Sequence, residues 1–183
     1  MAGVRGATAE DAPVLATLHR VTWRAAYAEL LPPGTLDELD TPQLQQAWAD
    51  TIAGGATVLI ATEDADPVGF VVAGSAPEEE VAAADGTIPS DAARTVLVST
   101  LLVEPRWGRR GHGGRLLVAA ATVLREAGAT RGVAWIPAED AASLSFYRRA
   151  GWAPDGTVRT LDANGRVLRE LRLTGPLDLA LTQ

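Results

Sequence analysis

The chain reads as an α/β protein on a mixed, mostly antiparallel sheet of about seven strands, with helices on both faces. Three observations lead there. Strand-like runs at 57–62 and 67–74, and again at 157–161 and 167–173, close on short polar turns and so form antiparallel hairpins. An apolar run over Thr95–Val103 is followed by a glycine-rich turn, an amphipathic stretch at 113–127 and a second apolar run at 131–136. Two helical stretches precede the first hairpin, so helices are available to cover the sheet.

Taken in order, residues 4–7 form a short first strand. Thr8 with Asp11 three residues on resembles a capping box, and Leu15, Leu18, Val21 and Ala25 then recur at helical spacing. Pro32-Pro33-Gly34 breaks this region, and a polar second helix follows over Pro42–Ala53 until Gly54-Gly55. Glu63-Asp64-Ala65-Asp66 turns the first hairpin. Residues 75–93, rich in Ala, Glu, Asp, Pro and Gly, read as a solvated, mobile loop. The alternative is an acidic lip around Glu78-Glu79-Glu80 that attracts a cation. In the stretch 113–127, Leu116, Leu117, Ala120, Val123, Leu124 and Ala127 share one stripe, and Gly128 is the natural C-terminal cap. A short helix at 140–150 closes on Gly151, and Asn164-Gly165 turns the final hairpin.

Composition bounds the function. At 183 residues the chain supports one core, so 1–183 is expected to be a single domain. Cysteine is absent, which excludes disulfides, thiolate metal sites and a cysteine nucleophile; with two histidines, His19 and His112, no metal site is expected. All 16 basic residues are arginine against 23 acidic ones, and the net charge of -7 argues against a nucleic-acid surface. No apolar run approaches a membrane span and no leader pattern opens the chain, so a cytoplasmic protein is expected.

Chemistry concentrates in Val103-Glu104-Pro105-Arg106-Trp107-Gly108-Arg109-Arg110-Gly111-His112-Gly113-Gly114-Arg115. A strand ends, a basic glycine-rich turn follows, and a helix begins near Gly113. Glycines let backbone amides approach a ligand, and a helix start adds unpaired N–H groups with roughly half a positive charge. Arg106, Arg109, Arg110 and Arg115 surround it. The segment is therefore either a phosphate cradle or merely a tight strand–helix connection. Commoner nucleotide loops are excluded. The chain has no lysine for a Walker loop, and Leu116 stands where a dinucleotide fingerprint needs its third glycine.

Val103-x-Pro105, then Gly111-x-Gly113, a helix, a strand and Ser145-Phe146-Tyr147-Arg148-Arg149-Ala150-Gly151-Trp152 together resemble the acetyl-CoA-binding half of the GNAT N-acetyltransferase superfamily. The match is densest over 95–152, with a weaker echo in Val4-Arg5-Gly6-Ala7-Thr8 and Asp11. The resemblance implies central strands that splay apart, with Leu101 donating its amide toward the thioester carbonyl. It implies that Leu102 and Val103 flank the pantetheine arm. Arg109, Arg110, Gly111, His112, Gly113, Gly114 and Arg115 would hold the phosphates. Asp140, Ser143, Phe146 and Tyr147 would complete the cofactor site. Tyr147 would protonate or position the leaving sulfur, or else serve only as packing beside Trp152.

Three positions depart from the family pattern. Gly108 stands where Gln or Arg is frequent, Asp140 where Asn is frequent, and Leu97 where many members carry a glutamate base. The base is thus unassigned, with Glu29, Glu63, Glu104 and a held water as candidates. His19, Trp23, Tyr27 and the acidic stretch 78–80 could line the acceptor cleft, although Trp23 also fits simple helix packing. The implied activity is acetyl transfer from acetyl-CoA to the primary amine of a small molecule or peptide, by direct attack in a ternary complex. The chain would act as a monomer or homodimer, without nucleic acid, membrane or metal. Two readings compete with it: a CoA-binding sensor without catalysis, and a nucleotide-binding regulatory domain preferring ATP or NAD.

Overall fold

The computed structural model describes residues 1–27, 42–163 and 166–179. The elements run β1 (Ala2–Gly6), a 3-10 turn (Ala9–Asp11), α1 (Ala12–Tyr27), α2 (Pro42–Ala53), β2 (Thr57–Glu63), β3 (Asp66–Ser75) and α3 (Glu78–Val81). Then come β4 (Thr95–Val103), a 3-10 turn (Pro105–Trp107), α4 (His112–Glu126), β5 (Arg131–Pro137), α5 (Ala141–Arg149), β6 (Ala153–Ala163) and β7 (Arg166–Pro176). One seven-stranded sheet runs in the order β1-β2-β3-β4-β5-β7-β6. Its one parallel pairing is β4 with β5, as the strand–helix–strand unit requires.

That pairing is short. It consists of Thr95 with Arg131, Val96 with Gly132 and Leu97 with Val133. Beyond Leu97, β4 stays on β3 as far as the Gly69–Val103 pair, while β5 stays on β7 as far as Pro137–Glu170. The middle of the sheet therefore opens into a V. A bulge sits beside the opening: the β3 register passes from Ala73–Val98 to Val72–Thr100, leaving Ser99 as the extra residue.

Two cores hold the faces. On one, Leu116, Leu117, Ala120 and Leu124 of α4 meet Val71, Val98, Ile136 and Leu173. On the other, Leu15 and Leu18 of α1 and Trp48 of α2 meet Ile60, Phe70 and Val72. The expected stripe of α4 needs two corrections, of which the first is that Ala127 lies just past the helix end and is exposed. Val123 is 43% exposed and Ala121 is buried instead, because Val123 lies just past the edge of the arc that faces the sheet. Gly128, at φ +97°, follows the helix as expected. At the start, Thr8 N–H donates to Asp11 Oδ2 at 2.8 Å, and Arg5 grips both Asp11 oxygens at 2.7 and 2.8 Å. The first strand spans Ala2–Gly6, two residues earlier than expected, because it pairs with β2 as far as Ala2–Glu63.

The 75–93 segment is not the mobile loop that its composition suggests. Val81 is buried, Trp135 Nε1 donates to Glu80 Oε2, and Arg172 donates to the Glu80 and Ala82 carbonyls at 3.1 and 2.7 Å. Arg131 binds Asp91 through two hydrogen bonds of 2.7 and 2.9 Å. Arginines on the sheet thus clamp the segment down. Pro32-Pro33-Gly34, Glu29, the Asn164-Gly165 turn and the side chain of Tyr27 lie outside the described residues.

Candidate active site

The V between β4 and β5 holds a cleft of about 490 Å³. Its β4 wall is main chain. Glu104 N–H donates to the Val68 carbonyl at 2.9 Å, and antiparallel ladders alternate, so Leu102 also spends its backbone groups on β3. Leu101 and Val103 then turn theirs away from β3, into the opening. Their side chains pack on the α4 face, so the same residues build core and cleft. Leu102 lines the cleft as well, but with its backbone groups spent on β3.

The next wall is the start of α4. Gly111 precedes the helix at φ +82°, a left-handed conformation that glycine adopts without strain. The N–H groups of the first turn have no partner four residues back, and they carry the positive end of the helix dipole. Gly111, His112, Gly113, Gly114 and Arg109 all line the cleft. A Cβ on Gly113 would sit 3.3 Å from Phe146 Cε2, a tight contact, so a side chain here would crowd that ring.

Two expected arginines stand elsewhere. Arg110 stacks on the Trp107 ring at 4.8 Å, and the Arg115 guanidinium folds back to donate to the Arg110 carbonyl at 3.0 Å. They brace the loop rather than line the cleft. Arg106 pairs with Glu104 at 2.5 Å. His112 is buried and packs edge-on to Trp107, and neither ring nitrogen makes a hydrogen bond, although Glu63 Oε2 lies 3.4 Å from Nε2. Burial, helped by the Arg115 charge and opposed by Glu63, holds its pKa below the usual imidazole value, which favours the neutral ring.

Helix α5 forms the opposite wall, and Asp140, Ser143, Phe146 and Tyr147 line the cleft from it. Asp140 caps the helix, accepting from Ser143 N–H at 3.0 Å and Ser143 Oγ at 2.7 Å. Tyr147 is 4% exposed, packed between Phe146 and Trp152 at ring distances of 5.1 and 5.2 Å. Burial pushes the phenol pKa well above its usual value, so the hydroxyl keeps its proton at any working pH.

Of the acceptor candidates, Trp23 lines the cleft. His19 lies behind it, edge-on at 5.0 Å and also against Trp48 and Phe70, and burial lowers its pKa. Glu63 and Glu104 do not line the cleft. Sequence reasoning missed Trp135, Leu168 and Glu170, which do. Glu170 accepts from Arg159 Nε at 2.6 Å, and Arg159 lies over the Trp135 ring at 4.3 Å. The available signal was parity. Glu170 and Arg172 occupy alternate positions of β7 that point to one face, and both are buried. Among the described residues, no cluster of metal-binding side chains occurs and no helix is long and apolar enough to cross a membrane.

Comparison with known proteins agrees with this arrangement. A Mycobacterium tuberculosis protein named "Probable N-acetyltransferase Rv2775" is 25% identical over 160 residues, covering 86% of this chain and 83% of that protein. The structure of paia N-acetyltransferase from Thermoplasma acidophilum, in complex with coenzyme A, superposes with a TM-score of 0.71 at 15% identity, over 96% of this chain and 99% of that one. That of yncA from Salmonella typhimurium, with its cofactor acetyl-CoA, gives 0.71 at 19% identity, over 100% and 98%. These two likenesses are of fold. The family model for the acetyltransferase (GNAT) family matches residues 20–152, from α1 through the cleft to Trp152, and the chain belongs to that family.

Proposed function

We propose that this chain, acting as one domain, is an acetyl-CoA-dependent N-acetyltransferase that acetylates a primary amine by direct attack in a ternary complex. The observation that carries the reading is the splay past Leu97–Val133. It leaves the Leu101 and Val103 backbone groups open beside the glycine-lined start of α4, with Tyr147 on the facing helix. The residues fit the cofactor: unpaired first-turn N–H groups for its phosphates, a free strand edge for its amide arm, and a glycine at 113 where a side chain would crowd Phe146. When bound, acetyl-CoA supplies an activated acetyl thioester.

The chain's own residues then have separable tasks. Gly111, Gly113, Gly114 and Arg109 hold the phosphates. Val103 pairs with the arm and fixes its direction. Leu101 N–H is aimed to take the negative charge that develops on the carbonyl oxygen, a fixed donor that needs no reorganisation. Tyr147, kept protonated by its burial, would donate a hydrogen bond to the departing sulfur, and the proton that the attacking amine loses balances the one that the thiolate gains. No cysteine is available for an acetyl-enzyme, which favours direct attack.

One observation favours the rival, a CoA-binding module without turnover. Position 97 is leucine, and neither Glu63 nor Glu104 reaches the cleft. Thiol release across a panel of primary amines, with the product identified by mass, separates the two. Acetylated amine supports the enzyme; CoA binding with no product from any amine supports the module.

A further inference from the structure

The cleft is chemically polarised. Its α4 mouth is lined by Arg109 and glycines, whereas its far wall is lined by Trp23, Trp135, Leu168 and Glu170. Glu170 is 8% exposed, so its charge is held inside the protein. It belongs to a network in which Arg159 binds Glu170 and Glu80, Arg172 binds Asp155, and Trp135 Nε1 donates to Glu80. Arg159 bridges two carboxylates, Glu170 and Glu80, so this trio carries one negative charge in excess. Indoles beside a carboxylate are the side chains that attract organic cations.

Register places this wall relative to the chemistry. Leu101 lies four residues beyond the last β4–β5 pair, and Pro137, the partner of Glu170, lies four beyond it on β5. Glu170 is therefore level with Leu101 but two strands across. Even without the splay, two strand spacings make roughly 10 Å between their backbones. A carboxylate at that distance serves a charge remote from the nitrogen that attacks beside Leu101.

We infer that Trp135, Trp23 and Glu170 form a subsite for a distal ammonium group, and that the acceptor is a diamine-like cation rather than an amino acid. The inference rests on the acetyltransferase reading of this cleft. Arg159 and Glu80 are positioning residues within it: they fix Glu170 and Trp135, and they anchor the 75–93 segment to the site.

The test uses full-length protein loaded with CoA, after CoA affinity has been measured for wild type and Glu170→Gln. Calorimetry then ranks 1,6-diaminohexane, hexylamine and 6-aminohexanoate. Wild type is expected to bind the diamine more than tenfold tighter than either of the others. Glu170→Gln should lose that preference with CoA affinity unchanged, and its KM for the diamine should rise while kcat stays within a few fold. Equal binding of the three probes, or no diamine binding, overturns the subsite alone. Failure to bind CoA strikes the enzyme reading and the subsite together. If the variant does not fold, the wild-type ranking still decides: 6-aminohexanoate binding as well as the diamine refutes the proposal.

Discussion

Leu97 and Val133 are the last partners that β4 and β5 share. Every later backbone group on the facing edges is released from the sheet, and the proposed chemistry uses that release at Leu101. Because its N–H points away from β3, proline at this position removes the donor without breaking the β3 ladder. We expect Leu101→Pro to lower kcat by about 10²–10³-fold, the usual scale for one such donor. Leu101→Ala, which keeps the N–H and loses only packing, is the control. Equal turnover in the two folded variants removes the role.

The cradle is tested at its glycines. Gly113→Val brings branched carbons toward Phe146, where even a Cβ lies at 3.3 Å, and Gly111→Val imposes φ +82° on a branched residue. Both should weaken acetyl-CoA binding more than tenfold in calorimetry. Undiminished affinity in folded protein contradicts the phosphate assignment.

Among the arginines, the structure distinguishes Arg109 on the cleft from Arg110 on Trp107. Arg109→Ala should weaken CoA binding more than Arg110→Ala, and more at low salt than at high, because an exposed charge is screened. The reverse order returns the phosphate contact to Arg110.

Tyr147→Phe should lower turnover, with CoA affinity within a few fold. General acids contribute about 10²–10⁴-fold, and a CoA thiolate leaves readily, so the low end or somewhat below is expected. Burial raises the phenol pKa, so Tyr147 stays protonated throughout the accessible range. Wild type and variant should then share one pH profile below about pH 10, the usual phenol value, and differ only in height. Equal height leaves Tyr147 as packing.

Acid should uncouple Arg5 from Asp11. The Arg5 guanidinium holds the Asp11 carboxyl well below the usual carboxylate range. A depressed folded pKa stabilises the fold above the unfolded value of about 3.9 and loses that contribution as pH falls below it. Asp11→Asn should therefore melt lower than wild type at neutral pH, and the gap between the two melting curves should begin to close below about pH 4 and vanish only in stronger acid, at the depressed folded pKa. Parallel curves refute the pairing.

Much of this site was legible because its residues are consecutive. The glycines from 111 to 114 and the Ser143–Tyr147 stretch each lie within one turn or helix, so the resemblance to a known family could mark them as units, and both line the cleft. Arg110 and Arg115 were misjudged because charge near a loop says nothing about which way a long side chain folds. The Trp135–Arg159–Glu170–Glu80 wall was illegible for a different reason. Its members come from β5, β6, β7 and α3, and only the β5-β7-β6 order brings them together. The acidic segment at 75–93 misled for the same reason, since its arginine partners lie far along the chain.

Backbone hydrogen exchange, read by NMR with and without acetyl-CoA, tests the central claim most directly. The account predicts slowed exchange at the amides of Leu101, Val103, His112, Gly113 and Gly114, with β1 and β2 unchanged. Protection that spares both β4 and the start of α4, or none at saturating acetyl-CoA, would contradict it.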